Sequence, residues 1–522
     1  MKIKIMLITV VSAFAALAAA DNAEAQKKGD AGGIKPGDLP RKTLGQYSTP
    51  RGATAAYGPY SPNLNSIRRH KCPEWFRDAK LGMFIDWGIY SVPGWAPRQE
   101  EGAMYPDGYL NHILHRDADR GYHEKTWGKD FKPDDFIPMF TAENFNAEQL
   151  MRLAAESGMK YVVPFCKHHD GFCLWPSSYT GRNAFEMGPR RDLVRPMAEE
   201  CNRLGLKFGF YFSVEEWRAP VIVDGEKKIR VWNAPLRPWD DKEIKTMMSG
   251  KYFVEGNFFD NYIVPQAKEF IDMYDPDILW FDGEWDMLPE ELRTTDIIAH
   301  FFNKAEGRKE VALNDRFGQV RDKLGDFFCS EYHSLPHEMT MSHPWEENRS
   351  ISQSFGYNRE DTDENVLAPD ELIDMFTRIV SENGNLLLMI NLDGTGALPE
   401  IQASRLRELG AWLKVNGEAI YGSRPWRVSS QDDGKIRFTQ SKDGSAIYVI
   451  CTDFPKDRLL LHTIHLNENS KVTMLGAEET ELKWSQPIIS WAKRALEIVI
   501  PDELYAKRRN EHAWVFKLEI KN

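Results

Sequence analysis

Cysteine is scarce in this chain, and its spacing carries no motif. The six residues lie at positions 72, 166, 173, 201, 329 and 451 of 522, and none forms a C-x-x-C pair. This argues against a zinc-type ligand set and against a small disulfide-stapled scaffold, and makes buried thiols the expectation. Basic blocks are missing too. The 66 Lys and Arg are outnumbered by 78 Asp and Glu, for a net charge of -12. Electrostatic partnership with nucleic acid or an anionic membrane is therefore disfavoured, and a small neutral substrate fits better. No Gly-x-Gly-x-x-Gly turn opens a helix, which weakens a dinucleotide-binding reading. Past the N-terminus no apolar run is long enough to cross a bilayer, and no internal repeat or low-complexity tract is evident.

What is present begins with an export signal. Lys2 and Lys4 precede an alanine-rich apolar stretch, Ile5 to Ala20, and Ala23-Glu24-Ala25 before Gln26 matches an A-x-A cleavage site. Residues 1–25 thus read as a signal peptide, which implies a periplasmic or secreted protein with no membrane span after cleavage. An uncleaved anchor is the alternative. Residues 26–65, rich in Gly, Pro, Ser and Thr, read as a linker or surface arm. Aromatics make up 12% of the chain, with 16 Trp and 18 Tyr. Such rings stack on the C–H faces of sugars, although large cores explain them equally well.

From Trp75 onward, short apolar strands alternate with amphipathic helices. Strands are expected at 81–85, 161–165, 207–212, 277–281, 311–313, 326–330 and 386–390, and helices at 147–159, 192–204, 262–274, 291–302 and 370–382. Strands apolar on both faces, joined by helices, imply a parallel sheet. A (β/α)₈ barrel over residues 66–424 fits the count better than an open doubly wound sheet. Residues 219–257 form a polar, Pro-containing insertion, read as a loop over the active face. Beyond Pro425 short strands and the turn Lys442-Asp443-Gly444 suggest a β-sandwich over residues 425–522. The fold class is α/β, a barrel followed by a sandwich.

In a parallel barrel the chemistry sits at the strands' C-terminal ends. Four motifs fall in such positions: Asp86-Trp87-Gly88, Lys167-His168-His169-Asp170-Gly171-Phe172, Asp282-Gly283-Glu284 and Pro344-Trp345-Glu346-Glu347. Paired carboxylates suit acetal hydrolysis, one protonated to donate and one ionised to attack. Asp282, short and strand-borne, suits the nucleophile. Glu346, in a loop-like stretch, suits a reaching acid, and Glu347 could raise its pKa if both faced inward. Adjacent His168 and His169 point oppositely on an extended chain, so sugar hydroxyls are better partners for them than one metal ion. Singly, each residue has a plainer role as a helix cap, core residue or solvated side chain.

Together these motifs resemble the α-L-fucosidases of glycoside hydrolase family 29. The resemblance runs through Phe84-Ile85-Asp86-Trp87-Gly88, Lys167 to Phe172, Arg191-Asp192-Leu193-Val194, Leu279 to Trp285 and Asn314-Asp315-Arg316-Phe317-Gly318. It continues in Trp345-Glu346, Phe355-Gly356-Tyr357, Asn383 to Leu388 and Asn416 to Tyr421. It implies a barrel with a β-sandwich, a retaining mechanism without metal or cofactor, and a fucosylated glycan as partner. Asp282 would be the nucleophile and Glu346 the acid/base. Asp86, Trp87, His168, His169, Tyr211 and Glu101 would contact the sugar, and Phe355 would line the wall beside its C6 methyl. Two departures stand out. Asp86 replaces the family's histidine in Phe-Ile-His-Trp-Gly, and the expected Glu-Trp-Tyr segment reads Glu101-Gly102-Ala103-Met104-Tyr105. A carboxylate accepts from a hydroxyl but cannot donate to it. A related sugar (an α-L-galactoside or decorated fucoside) and a catalytically silent sugar-binding relative therefore stay open. Oligomeric state is not legible.

Overall fold

The computed structural model describes residues 58–99, 102–223, 226–231, 237–238, 254–255, 257–285, 287–319, 321, 325–332, 337–490, 493–507 and 511–520. The expected export signal (residues 1–25) and most of the expected arm lie outside these residues. Eight parallel strands make the main sheet: β1 Leu81–Asp86, β2 Tyr161–Lys167, β3 Lys207–Ser213, β4 Ile278–Asp282, β5 Ala312–Leu313, β6 Phe328–Ser330, β7 Trp345–Ser350 and β8 Gly384–Asn391. Their order is β6-β7-β8-β1-β2-β3-β4-β5. A parallel bridge between Asn314 and Phe327 joins the two outermost strands, and the Asp326 N–H donates to the Leu313 carbonyl at 2.8 Å. The sheet thereby closes into a barrel.

Helices α1 Ala147–Glu156, α2 Val194–Leu204, α3 Val264–Tyr274 and α4 Thr294–Ala305 lead into β2, β3, β4 and β5. Helix α5 Pro369–Ser381 leads into β8, and α6 Glu400–Asn416 follows it. Side chains alternate along each strand. Met83 and Ile85 face the helix layer, whereas Phe84, Phe165, Tyr211 and Trp280 fill the barrel's interior. Pro164 occupies an interior strand, where a missing N–H is tolerated at a bulge. The β2–β3 register shifts there, between Phe165 and Lys167, immediately before the two histidines.

Two expectations are corrected. The 219–257 insertion is more than a loop. Arg218–Val223 and Glu226–Val231 pair as an antiparallel hairpin, extended by short strands at 237–238 and 254–255. Its alternating apolar and charged residues (Lys228-Ile229-Arg230-Val231) carry the strand period, which the insertion's overall polarity masks. Glu346, expected in a loop, is the second residue of β7. That strand is polar because Glu346, Asn348 and Ser350 are buried, so hydrophobicity gives no sign of it.

Past α6 come β9 Arg424–Gln431, β10 Ile436–Gln440, β11 Ala446–Cys451, β12 Arg458–Leu461, β13 Lys471–Met474, β14 Trp484–Ser485, β15 Leu496–Val499 and β16 Trp514–Glu519. They form an antiparallel sheet in the order β9-β10-β11-β16-β13 and a second one, β12-β15-β14. Phe438, Val449 and Phe516 from the first share one core with Leu461, Leu496 and Ile498 from the second, as in a sandwich. The Lys442-Asp443-Gly444 turn joins β10 to β11, and Gly444 adopts φ 73° there, a conformation that glycine reaches without steric cost. Arg437 on β10 ties this unit to α5, donating to Thr377 Oγ1 at 2.8 Å and pairing with Asp374 at 2.8 Å.

None of the six cysteines is in a disulfide; five are buried and Cys72 is half-buried. Among the described residues no helix is long and apolar enough to cross a membrane. Nor is any group of three or more His, Cys, Asp or Glu there placed to hold a metal ion.

Candidate active site

Asp282 ends β4, where the strand period turns it into the barrel mouth. Its Oδ2 accepts from the Tyr211 hydroxyl at 2.6 Å and lies 3.4 Å from His169 Nε2. Its Oδ1 accepts from Arg316 Nη1 at 3.1 Å. Burial works to raise its pKa, but the His169 hydrogen bond, the Arg316 charge and the Tyr211 hydroxyl outweigh it. Asp282 is held well below the usual carboxylate range. A fixed, ionised carboxylate of this kind is suited to attack carbon.

Arg316, just past β5, is bifunctional. Its Nη2 donates to Glu331 Oε2 at 2.9 Å while Nη1 holds Asp282. Glu331 follows β6 directly, receives the Tyr105 hydroxyl on Oε1 at 3.2 Å, and keeps 23% of its side chain exposed. One guanidinium therefore joins two carboxylates at the mouth of the barrel. One of them is deep and ionised, and the other lies at the more exposed rim.

Glu346 is not at this mouth. It lies near the opposite end of its strand, fully buried, and accepts from the Tyr161 hydroxyl at 2.5 Å and Trp280 Nε1 at 2.9 Å. A side chain enclosed by those two partners cannot reach a glycosidic oxygen. This corrects the expectation of a reaching acid. Its pKa is indeed raised, to about 7, but the foremost cause is burial, and Glu347 is not among the causes. Glu347 instead accepts from the Tyr332 N–H at 3.2 Å. Glu284 is likewise raised to about 7, chiefly by burial, and is only 1% exposed, so it too is withheld from a leaving group.

The histidines line the wall next to Asp282. His169 Nδ1 shares a 2.6 Å hydrogen bond with Ser213 Oγ, which directs Nε2 toward Asp282. His168 Nε2 lies 3.5 Å from Asp107 Oδ2. Burial, then neighbouring His169, holds His168 well below the ordinary histidine range, so it is neutral. Beyond it stands Asp86, which accepts from the Tyr90 hydroxyl at 2.6 Å. Burial foremost, with Asp170 adding to it and Tyr90 opposing, pushes Asp86 up to about 7. Near neutrality a fraction of Asp86 is therefore the neutral acid and can donate after all, unlike the plain carboxylate expected from the sequence. Burial and the Asp86 charge also hold Asp107 well above its usual range.

Trp87 is a second correction. With Asp86 facing the barrel axis, the next side chain must face the helices. Trp87 packs on Phe140 and Phe145, with ring centroids 5.1 and 4.8 Å away, and donates to the Asp393 carbonyl at 2.8 Å. It is a core residue. Tyr211 holds Asp282 from within the barrel. Phe355 packs against Tyr105 and Tyr332 at 5.6 Å each, forming an aromatic wall beside Glu331. Glu101 lies outside the described residues, and the carboxyl found beside His168 after the first strand is Asp107.

Residues 48–418 match the family model "Alpha-L-fucosidase", and residues 431–519 match "Alpha-L-fucosidase C-terminal domain". The chain belongs to the α-L-fucosidase family. It is 31% identical over 463 residues to the tissue α-L-fucosidase of Rattus norvegicus, covering 88% of this chain and 92% of that one. The Homo sapiens tissue enzyme is also 31% identical over 463 residues, with 88% and 91% covered. Among solved structures, the Thermotoga maritima α-fucosidase in complex with a mechanism-based inhibitor superposes with a TM-score of 0.72. That match has 34% identity and covers 88% of this chain and all of the other.

The sequence motifs of this fucosidase-family chain do not single out Glu331 or Asp107 and give Arg316 no role of its own, yet all three lie at the mouth with Asp282 and His168. A signal for Glu331 exists. An acid directly after an apolar strand is the same pattern that marks Asp282, and Phe327-Phe328-Cys329-Ser330-Glu331 repeats it.

The Glu346 shift makes a stability prediction for this fucosidase relative. An ordinary glutamate titrates near ~4.3, whereas folded Glu346 titrates at about 7. The folded state thus binds the proton more tightly. The stabilisation is complete below the unfolded value and is lost as pH rises through the folded one. Asp86 acts in the same direction. Thermal melts should show Tm falling from pH 5 to 8, and Glu346→Gln should flatten that slope by about 3 °C. An unchanged slope would show that Glu346 carries no such proton.

Proposed function

We propose that this protein releases terminal α-L-fucose from fucosylated glycans with net retention. Asp282 attacks the anomeric carbon while Glu331 gives its proton to the departing oxygen, leaving a fucosyl ester on Asp282. Glu331, now a carboxylate, takes a proton from water, and the resulting hydroxide equivalent displaces Asp282 and restores both groups. The observation that carries this reading is the single Arg316 fork joining Asp282 and Glu331. Carboxylates held on the two arms of one guanidinium border one site, which suits a pair that acts on a single glycosidic bond. The names of the rat and human relatives, tissue α-L-fucosidases, supply the sugar. Export to the periplasm or the medium rests on residues 1–25.

A second reading keeps the mechanism and changes the sugar to an α-L-galactoside or a decorated fucoside. Asp86, where the family carries histidine, favours it. Para-nitrophenyl α-L-fucoside and the matching galactoside test both readings. The fucoside should be cleaved with the α-anomer of fucose appearing first. Asp86→His should shift the ratio of the two kcat/KM values about tenfold, the weight of one buried polar contact, with little change in Tm. Turnover of neither glycoside would defeat both readings, and identical ratios in the two proteins would acquit Asp86.

A further inference from the structure

Glu346 has no role in the proposed reaction, yet it is a fully buried carboxyl in the barrel axis with both oxygens engaged. Its Oε1 accepts the Trp280 indole N–H at 2.9 Å, and its Oε2 the Tyr161 hydroxyl. Trp280 sits two residues before Asp282 on the same face of β4, and it touches both groups that hold the nucleophile. Its ring stacks against Tyr211 at 5.6 Å and 22°, and the Tyr211 hydroxyl donates to Asp282. The Arg316 guanidinium lies 5.2 Å from the same ring, and that guanidinium bridges Asp282 and Glu331.

We propose that Glu346 is a positioning residue for the glycosidic reaction: by fixing the Trp280 indole it sets the platform on which Tyr211 and Arg316 aim Asp282 and Glu331. An indole has one polar atom, its N–H, and in a packed barrel that atom decides which way the ring is turned. Without an acceptor the N–H is a buried orphan, and the ring tilts or the site admits water. Either outcome displaces a stacked phenol and a cation resting on the ring face. Small displacements of a catalytic pair cost rate far more than binding, because the geometry matters most in the transition state. Burial raises the Glu346 pKa to about 7, so a fraction of it is neutral near neutrality, and an amide in its place can still accept from the indole.

The inference rests on the retaining fucosidase reaction, and the two fail differently: if that reaction is wrong, the unaltered protein does not cleave para-nitrophenyl α-L-fucoside. If cleavage occurs, four variants decide. Glu346→Leu should lower kcat about 30-fold, leave KM within about threefold, and show no rescue by azide. Glu346→Gln should recover kcat to within about threefold of the unaltered protein. Trp280→Phe, which removes the same hydrogen bond from its other end, should reproduce the kcat loss. Adding Glu346→Leu to Trp280→Phe should cost little more, because both act through one contact. Equal kcat in Trp280→Phe and the unaltered protein overturns the inference even if Glu346→Leu does not fold. So do additive losses in the double variant, or azide rescue of Glu346→Leu, which would make Glu346 a direct acid.

Discussion

Asp282→Ala is expected to lower kcat/KM on para-nitrophenyl α-L-fucoside by about 10⁴-fold, the largest effect of any single substitution in this protein. In the proposed reaction this variant loses the group that forms the covalent bond, which removes a step rather than weakening one, and removal of a nucleophile elsewhere costs at least as much. Asp282 also balances Arg316 and receives Tyr211 and His169, so the variant leaves a cation in a buried site without its counter-charge. Azide fits the vacated space and carries the missing negative charge. It should restore turnover in this variant and attack from Asp282's side of the ring, giving a fucosyl azide of inverted configuration. Asp282→Asn, which keeps the shape, separates the chemical loss from any structural one.

The second large effect belongs to Glu331. Glu331→Ala should lower kcat about 10³-fold, within the range for a missing acid or base. The loss should grow as the leaving group becomes poorer, because an activated phenol needs little protonation whereas a glycan hydroxyl needs a full proton. Azide should again restore turnover, now by attacking the fucosyl ester, and the product should retain its configuration. The opposite stereochemistry of the two rescued azides assigns the carboxylates without reference to any relative. An inverted azide from Glu331→Ala would exchange the roles of nucleophile and acid between the two.

Much of the fold is legible because the barrel's strands are apolar on both faces, as in Leu386-Leu387-Leu388-Met389-Ile390 and Ile278-Leu279-Trp280. The β-sandwich announces itself through alternating strands and the Lys442-Asp443-Gly444 turn. Legibility ends where the interior turns polar. The strand Trp345–Ser350 buries Glu346, Asn348 and Ser350, and a reading that equates burial with hydrophobicity assigns such residues to a loop. The expectation of a reaching Glu346 follows directly, since a loop-borne glutamate looks free to meet a ligand.

The site divides along similar lines. Asp282, His168 and His169 are legible because each directly ends or follows an apolar strand. Trp87 is misassigned when the alternation rule, which sends it opposite to Asp86, is left out. The pairing of Arg316 with Glu331 and Asp282 depends on closure of the barrel between Asn314 and Phe327, a contact between strands that no local pattern specifies. Asp86 is legible as a departure, but its proton is not. Burial that lifts its pKa to about 7 arises from the packed barrel mouth and not from its neighbours in sequence.

A fluorinated fucosyl fluoride, substituted at C2 to slow release of the sugar, tests the two-carboxylate mechanism most directly. Mass spectrometry of a peptic digest should find one fucosyl adduct per chain, on the peptide containing Asp282, and the labelled protein should regain activity slowly as the ester hydrolyses. An adduct on Glu331 or Glu346, or turnover of the reagent to the inverted sugar with no adduct at all, would contradict that mechanism.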